Sequence, residues 1–370
     1  MEKDIKNIVS KDFEVGSIED PITKLISKFE GSRDVIILND DQGYKGVITE
    51  KQLTRTLMDI SKTKAKKLMR NAPKISMKTS FAQAVRLMVQ SNLFHLPVFE
   101  NDKVIGVIKS SDLLDAIVDE ISHLEAKNIM TKGIITLHPK SPLKKALVMF
   151  REEGISRIVV KDDKLLGVIS LHDVVTKALR PTERPGFGRT FDTNNALDVP
   201  VESLMRKEVI KAGERATPGQ IFDLMKNHDV SSVLIEEKGV ITRKDLLEAL
   251  SYELNKEEEE VFIQLSTKIE DLNKEGVVQE VADFVEKNKS IGPGYIYIHI
   301  HKHKETHRNK PLIHVRLRVR CKNSYDVTSE GYGEDHAIRE GLRKLKTLIL
   351  KSEKSYKAHE VLDYFDLDAH

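Results

Sequence analysis

Four times along these 370 residues an apolar stretch ends in the same phrase: Gly46-Val47-Ile48-Thr49, Gly106-Val107-Ile108-Lys109, Gly167-Val168-Ile169-Ser170 and Gly239-Val240-Ile241-Thr242. The phrase glycines are 60, 61 and 72 residues apart, a regularity that marks a repeated structural unit. A short apolar strand precedes each phrase, at Val35 to Leu38, Leu96 to Phe99, Ile158 to Val160 and Val233 to Ile235. An amphipathic helical pattern follows each, as in Asp112 to Val118 and Asp245 to Leu250. Upstream, apolar residues at helical spacing predict a further helix: Ala84, Leu87 and Met88; Ala146, Leu147 and Phe150; Ile221, Leu224 and Met225. Three units also open alike, with Lys67-Leu68-Met69, Asn128-Ile129-Met130 and Ser203-Leu204-Met205. Each unit therefore reads strand, helix, strand, strand, helix over roughly 55 residues, too small to bury its apolar face alone, so the units should pair. The longer last spacing is accounted for by Arg180 to Asp198, rich in Pro, Gly and polar residues, which reads as an inserted loop.

The phrase has chemical content. Glycine ends the last strand where the backbone must turn closely. A hydroxyl residue then caps the next helix, where unpaired N–H groups and the helix dipole suit a phosphate. An acidic residue three positions on can accept two hydrogen bonds from a ribose diol. Ser170 with Asp173 and Thr242 with Asp245 fit this pattern fully. In the first unit Gln52 takes the acidic place, and in the second Lys109 replaces the hydroxyl while Asp112 remains. The same S/T-x-x-[DEQ] spacing is also a capping box, which needs no ligand, and Thr49 to Gln52 satisfies that reading.

The order of elements and the phrase closely resemble the cystathionine-β-synthase (CBS) family over about residues 5 to 250. The resemblance implies four βαββα repeats in two Bateman modules, at 1–124 and 125–255 with an inserted loop at 180–198, packed as a flat disc. It also implies clefts that take AMP, ATP or a related adenosine compound as a regulatory ligand. Ser170, Asp173, Thr242 and Asp245 make the second module the favoured site, with Asp112 left in the first. His95 and Arg157 stand just before the central strand of their repeats, where family members often face the ligand phosphate. A second copy of the chain, joined through these modules, is a further partner.

After Leu250 the chain runs through Glu257-Glu258-Glu259-Glu260, a charged boundary, into a region without the phrase. Val261 to Lys268 alternates as a strand, Val277 to Val285 reads as a helix, and Gly292-Pro293-Gly294 stops it. Strands are predicted at Tyr295 to His301, Pro311 to Cys321 and Tyr325 to Ser329, then a helix carrying Ala337 to Ile349. The fold class is thus α/β and α+β multidomain, ending in a βαβββα domain over 256–370.

Period two sets Tyr295, Tyr297, His299 and His301 on one face, with His314, Arg316, Arg318 and Arg320 beside them. Lys302 to Lys310 reads as a basic loop carrying Lys302, Lys304, Arg308 and Lys310, and the last helix adds Arg343 and Lys346. Over 291–351 there are 13 Lys and Arg against six Asp and Glu, a local +7 in a chain whose net charge is only +2. A near-neutral whole with one basic domain is an electrostatic footprint of nucleic-acid binding, and tyrosines beside arginines permit base stacking.

This βαβββα order with a basic hairpin resembles the ribosome hibernation-promoting factor family, also called sigma-54 modulation proteins, over about residues 261 to 352. It implies binding to the small ribosomal subunit and its rRNA, in the channel where mRNA and tRNA lie. The double-stranded RNA-binding domain, αβββα, keeps a wider RNA reading open. The alternating His299, His301 and His303 could take a metal, but Lys302 and Lys304 would repel a cation, so no metal is assigned and histidines at an RNA surface are favoured.

The single cysteine, Cys321, rules out an internal disulfide and cysteine-rich zinc motifs. No apolar run of about 18 residues and no apolar leader in MEKDIKNIVSKDFE points to a cytoplasmic protein without membrane contact. No nucleophile–base pair, Walker loop or H-E-x-x-H motif is present, which argues against an enzyme. The sequence reads as a nucleotide-responsive, ribosome-binding regulator, a hibernation or translation-silencing factor. The alternatives are a CBS energy sensor acting on a metabolic enzyme or transporter, and a DNA-binding transcription regulator.

Overall fold

The computed structural model describes residues 5–31, 35–53, 63–179, 197–254, 261–267, 269, 271–307, 310–321 and 324–365, with side chains for all of these but 30, 31, 304 and 352–365. They form two compact units, Met1–Ser251 and Tyr252–His370. The two modules, expected as separate domains, share the first unit. The inserted loop lies outside the described residues up to position 196.

Each repeat centres on an antiparallel pair that ends in the glycine phrase: Ile36–Asp40 with Gly43–Ile48, His95–Glu100 with Lys103–Lys109, Arg157–Lys161 with Leu165–Ser170, and Ser232–Ile235 with Gly239–Thr242. A parallel segment flanks the first strand of each pair, as Glu14–Ser17 does on Ile36–Asn39 and Lys211–Ala212 does on Leu234–Ile235. The outer edge of each phrase strand is covered by backbone from the other repeat of its module. Val9 and Ser10, which lead into the first repeat, pair with Ile108 and Val107 of the second, and Arg70, which leads into the second, bridges Val47 of the first. Thr131 and Lys132 pair likewise with Val240 and Gly239, and Arg206 bridges Val168. This exchange closes sheet edges that would otherwise stay open.

The exchange also explains the glycine. A Cβ at Gly46 would stand 2.8 Å from the Arg70 carbonyl oxygen, one at Gly106 2.8 Å from that of Ser10, and one at Gly239 2.6 Å from that of Thr131. Gly167 meets the Arg206 carbonyl in the same way. None of the four has a positive φ, so the expected tight turn is not the cause. Close approach of a neighbouring backbone is.

The modules are joined across the unit. Ile22, Leu25, Phe29 and Leu53 of the first repeat lie in one buried cluster with Leu143, Leu147, Phe150 and Leu171 of the third. Glu50 contacts His172 at 2.5 Å across the same junction, and Lys226 of the fourth repeat pairs with Asp115 of the second.

The second unit has the expected βαβββα order. Its sheet runs Val261–Thr267, Gly294–His307, Lys310–Arg320, Ser324–Tyr332, with the first two strands parallel and the rest antiparallel. Ile296, Ile298, Ile300, Val315, Leu317 and Val319 face the helices Lys274–Lys287 and Glu334–Phe365, through Val277, Val281, Ile338, Leu342, Leu345 and Ile349. Two details differ from the sequence reading. The basic stretch is mostly strand: the ladder continues to His307 opposite Lys310, with a bulge between Lys302 and Thr306. Tyr332 pairs with Glu305 and packs 5.2 Å from His307, which holds the hairpin together near its tip. The last helix, expected over Ala337 to Ile349, runs on to Phe365.

Candidate nucleotide and nucleic-acid sites

In the third repeat Ser170 caps a helical turn, accepting from the Asp173 amide at 3.1 Å, while its hydroxyl donates to the Asp173 carboxylate. The other carboxylate oxygen accepts from Lys177 at 2.7 Å, and Arg206 stands 3.7 Å away. Burial alone would push the Asp173 carboxyl up. Hydrogen bonds from Lys177 and Ser170 and the charges of Lys177 and Arg206 outweigh it, holding the group below the usual carboxylate range. In the fourth repeat Asp245 accepts from the Thr242 amide at 2.8 Å, the Thr242 hydroxyl at 2.6 Å and the Thr131 hydroxyl at 2.7 Å.

The Asp173 and Asp245 side chains are 1% and 3% exposed, so a ribose diol would have to share or displace these donors. Gln52 of the first repeat holds the same geometry, accepting from the Thr49 amide at 2.8 Å and from its hydroxyl at 2.5 Å. The capping reading is thus realised whether the third position is Asp or Gln. In the second repeat Lys109 makes no cap and pairs with Asp12 at 3.0 Å, and Asp112 accepts from Ser111 at 3.0 Å. The structure places Arg157 directly across from Ser170 and buried His95 directly across from Lys109. Sequence reasoning missed Thr131, Lys177 and Arg206. Lys177 was readable as the i+4 partner of Asp173, whereas Thr131 and Arg206 arrive through strand exchange.

On the sheet face of the second unit that lies away from the helices, the register places Arg316 beside His299 and Thr328, Arg318 beside Tyr297 and Asp326, and Arg320 beside Tyr295 and Ser324. Phe262, Tyr295 and Tyr297 form a stacked series, with centroids 5.5 and 6.3 Å apart. Arg320 corrects the expected row of outward basic residues. It is 5% exposed, reaches both oxygens of Asp326 at 3.1 Å, and donates to the Val319 carbonyl at 2.9 Å. Arg318 lies 3.5 Å from the same carboxylate. Asp326, read from sequence only as part of a strand, therefore neutralises one end of the row.

Of the other described basic residues, Lys302, Arg343 and Lys346 stand away from this face. Lys302, in register with Ile313, leaves from the helix side and is exposed, whereas exposed Lys310 shares the side of His314 and Arg316 by alternation along its strand. Arg343, hydrogen-bonded to Glu340 at 2.8 and 2.9 Å, and Lys346 lie on the outer surface of the last helix, on the opposite side of the sheet from Arg316. Arg308 and the Lys304 side chain lie outside the described residues. Among the described residues no group of three or more His, Cys, Asp or Glu is arranged to hold a metal, and no helix is long and apolar enough to cross a membrane.

Comparison with known families and structures agrees with this division. The CBS domain family matches residues 65–119, 126–180 and 201–252, and the family described as hibernation factor Hib, C-terminal domain, matches residues 260–364. Among curated proteins, an uncharacterised protein of Methanocaldococcus jannaschii, MJ1404, is 22% identical over 67% of this chain and 62% of its own length. An uncharacterised 33.4 kDa protein in a ribosomal RNA operon of Thermofilum pendens is 20% identical over 59% of this chain and 75% of its own. Among solved structures, protein MJ1225 from Methanocaldococcus jannaschii, described as a candidate archaeal homologue of g-AMPK, superposes with a TM-score of 0.59 at 18% identity, over 67% of this chain and 100% of that one.

Proposed function

We propose that this chain, which carries CBS domains and a hibernation factor Hib C-terminal domain, is a nucleotide-responsive protein that binds the small ribosomal subunit and silences translation. The observation that carries this reading is the match of residues 260–364 to a hibernation-factor domain on a sheet whose face away from the helices bears Arg316, Arg318 and Tyr297. Both arginines can reach phosphates there, with Tyr297 beside them for a base. The Thermofilum relative, named for its place in a ribosomal RNA operon, supports the same partner.

The first repeat is our fourth CBS repeat: its glycine meets Arg70 as the other phrase glycines meet their exchanged strands. AMP or ATP is the proposed regulatory ligand, at Ser170/Asp173 and Thr242/Asp245. It would act by changing the donors around carboxylates that tie exchanged strands together, so that its affinity differs between two packings of the module. No catalytic role is assigned, and the protein is placed in the cytoplasm. Co-sedimentation with small ribosomal subunits across a salt series, with and without AMP or ATP, tests the reading. Failure to pellet at low salt overturns it.

A second reading has its own observation. A 98-residue stretch is 35% identical to part of homoserine O-acetyltransferase from Methanococcoides burtonii, over 26% of this chain and 20% of that one. It favours a sensor that acts on a metabolic enzyme. Such a protein would bind nucleotide without pelleting with ribosomal subunits.

A further inference from the structure

Four imidazoles crowd the open sheet face beyond Arg316. The His301 ring lies 4.6 Å from that of His314, 4.7 Å from that of His303 and 5.9 Å from that of His299, and His303 lies 6.2 Å from His314. His301 and His303 meet Nε2 to Nε2 at 3.1 Å. That contact requires one nitrogen to donate and the other to accept, so both rings cannot be imidazolium in this geometry. The Nδ1 of His301 is buried with no hydrogen-bond partner among the described residues.

The surroundings disfavour charge on His301. Arg316 is in register with His299, and Lys302 and Glu305 lie on the same strand as His301. Glu330, on the next strand, is in register with His314, and among the described residues the parallel strand offers uncharged Gln264 and Ser266 on this side. Burial first, then the charges of His314, His303 and His299, push His301 down to about 4.

A half-buried His301 kept neutral among three further imidazoles, with Arg316 in register with His299, forms a site whose charge depends on what arrives. A phosphate oxygen supplies the acceptor that a protonated ring needs and the negative charge that relieves repulsion from its neighbours. We propose that the His299/His301/His303/His314 cluster is a proton-taking phosphate site, so that polyanion binding at this face brings at least one proton with it and strengthens as pH falls. This rests on the RNA-binding reading and adds its regulation. Linkage makes the two effects reciprocal: bound phosphate raises the proton affinity of the cluster as much as protonation raises the affinity for phosphate.

The test is fluorescence anisotropy of the full chain with a single-stranded oligouridine of about 20 nucleotides, from about pH 8 to about pH 5.5 at constant ionic strength. Affinity should rise by up to about tenfold per pH unit for each proton taken up. Calorimetry in two buffers of different ionisation heat should show net proton uptake. His301→Gln should flatten the profile. His303→Gln, at an exposed position that does not endanger the fold, should flatten it in part. A flat wild-type profile, or an unchanged slope in both variants, overturns the proposal and leaves the RNA reading standing. Absence of RNA binding at every pH overturns both.

Discussion

The carbonyl oxygen of Thr131 lies 2.6 Å from the point where a Cβ on Gly239 would stand, and the Thr131 hydroxyl donates at 2.7 Å to Asp245 in the same repeat. One exchanged residue thus fills the space left by the phrase glycine and ties down the phrase carboxylate. Gly239→Ala should force the two strands apart and cost about 1–3 kcal/mol, the usual scale for overpacking. Urea unfolding followed by circular dichroism measures it, with Gly213→Ala as control, since a Cβ there meets only Glu236 at 3.6 Å. Gly46→Ala should cost a comparable amount, because the first repeat is built like the fourth.

Asp173→Ala together with Asp245→Ala should abolish calorimetric binding of AMP or ATP, each lost charged hydrogen-bonding site being worth about 1.5–3 kcal/mol. The same changes take the acceptor from the Ser170 and Lys177 donors and from the Thr242 and Thr131 donors, so stability should fall by about 1–3 kcal/mol per site. Gln52→Ala should carry the stability cost alone. Unchanged nucleotide affinity in the double variant would remove these carboxylates from the ligand site.

Arg320→Ala should behave as a core lesion. It takes from the Asp326 carboxylate, whose side chain is only 13% exposed, its two-pronged partner and leaves Arg318 at 3.5 Å, so the cost should fall at the lower end of the about 3–5 kcal/mol for a broken buried pair. Lys346→Ala, on the exposed helix surface, should stay within about 0.5 kcal/mol. Chemical denaturation distinguishes the two. Equal, small effects would mean that the Asp326 clamp contributes nothing.

The repeats and their pairing were legible because the phrase recurs, and the βαβββα order because apolar residues alternate cleanly in Ile296 to Ile300 and Ile313 to Val319. Period two also placed Arg316 and Arg318 on the open face. It could not separate Arg320 from them, since a sequence pattern gives the side of a sheet but not the partner across it. Asp326 meets Arg320 diagonally, through the register of a strand whose start the pattern left loose. Strand exchange was likewise hidden: Thr131 and Arg206 are far in sequence from the phrases they touch, and the repeated opening that ends at Met130 and Met205 does not say what the next residue pairs with. The loop reading of this stretch failed because His and Lys between Lys302 and His307 resemble a loop, while the ladder runs on to His307 and Tyr332 contacts Glu305 and His307.

His301 also predicts acid sensitivity. Its folded value of about 4 lies below the ordinary 6.5, so between these the unfolded chain binds the proton and the folded chain does not. Its contribution to stability is therefore present above the ordinary value and is lost as pH falls toward the folded one. His301→Gln should lessen the loss of stability between about pH 7 and pH 5 in urea titrations of the full chain. An identical loss in the variant would assign the acid sensitivity elsewhere.

The central claim is that the open sheet face, through Arg316 and Arg318, holds the chain on the small ribosomal subunit. Co-sedimentation with purified small subunits as salt rises is its most direct measurement. The wild-type chain should pellet at low salt and be released steeply, with a slope near −0.7 per single-strand phosphate contact. Arg316→Glu with Arg318→Gln should remain in the supernatant; the glutamine sets no second carboxylate against Asp326 and Val315, Leu317 and Val319 on the helix side are untouched, so the wild-type circular dichroism spectrum should be kept. A folded double variant that pellets as the wild type does, with the same salt slope, would contradict the account.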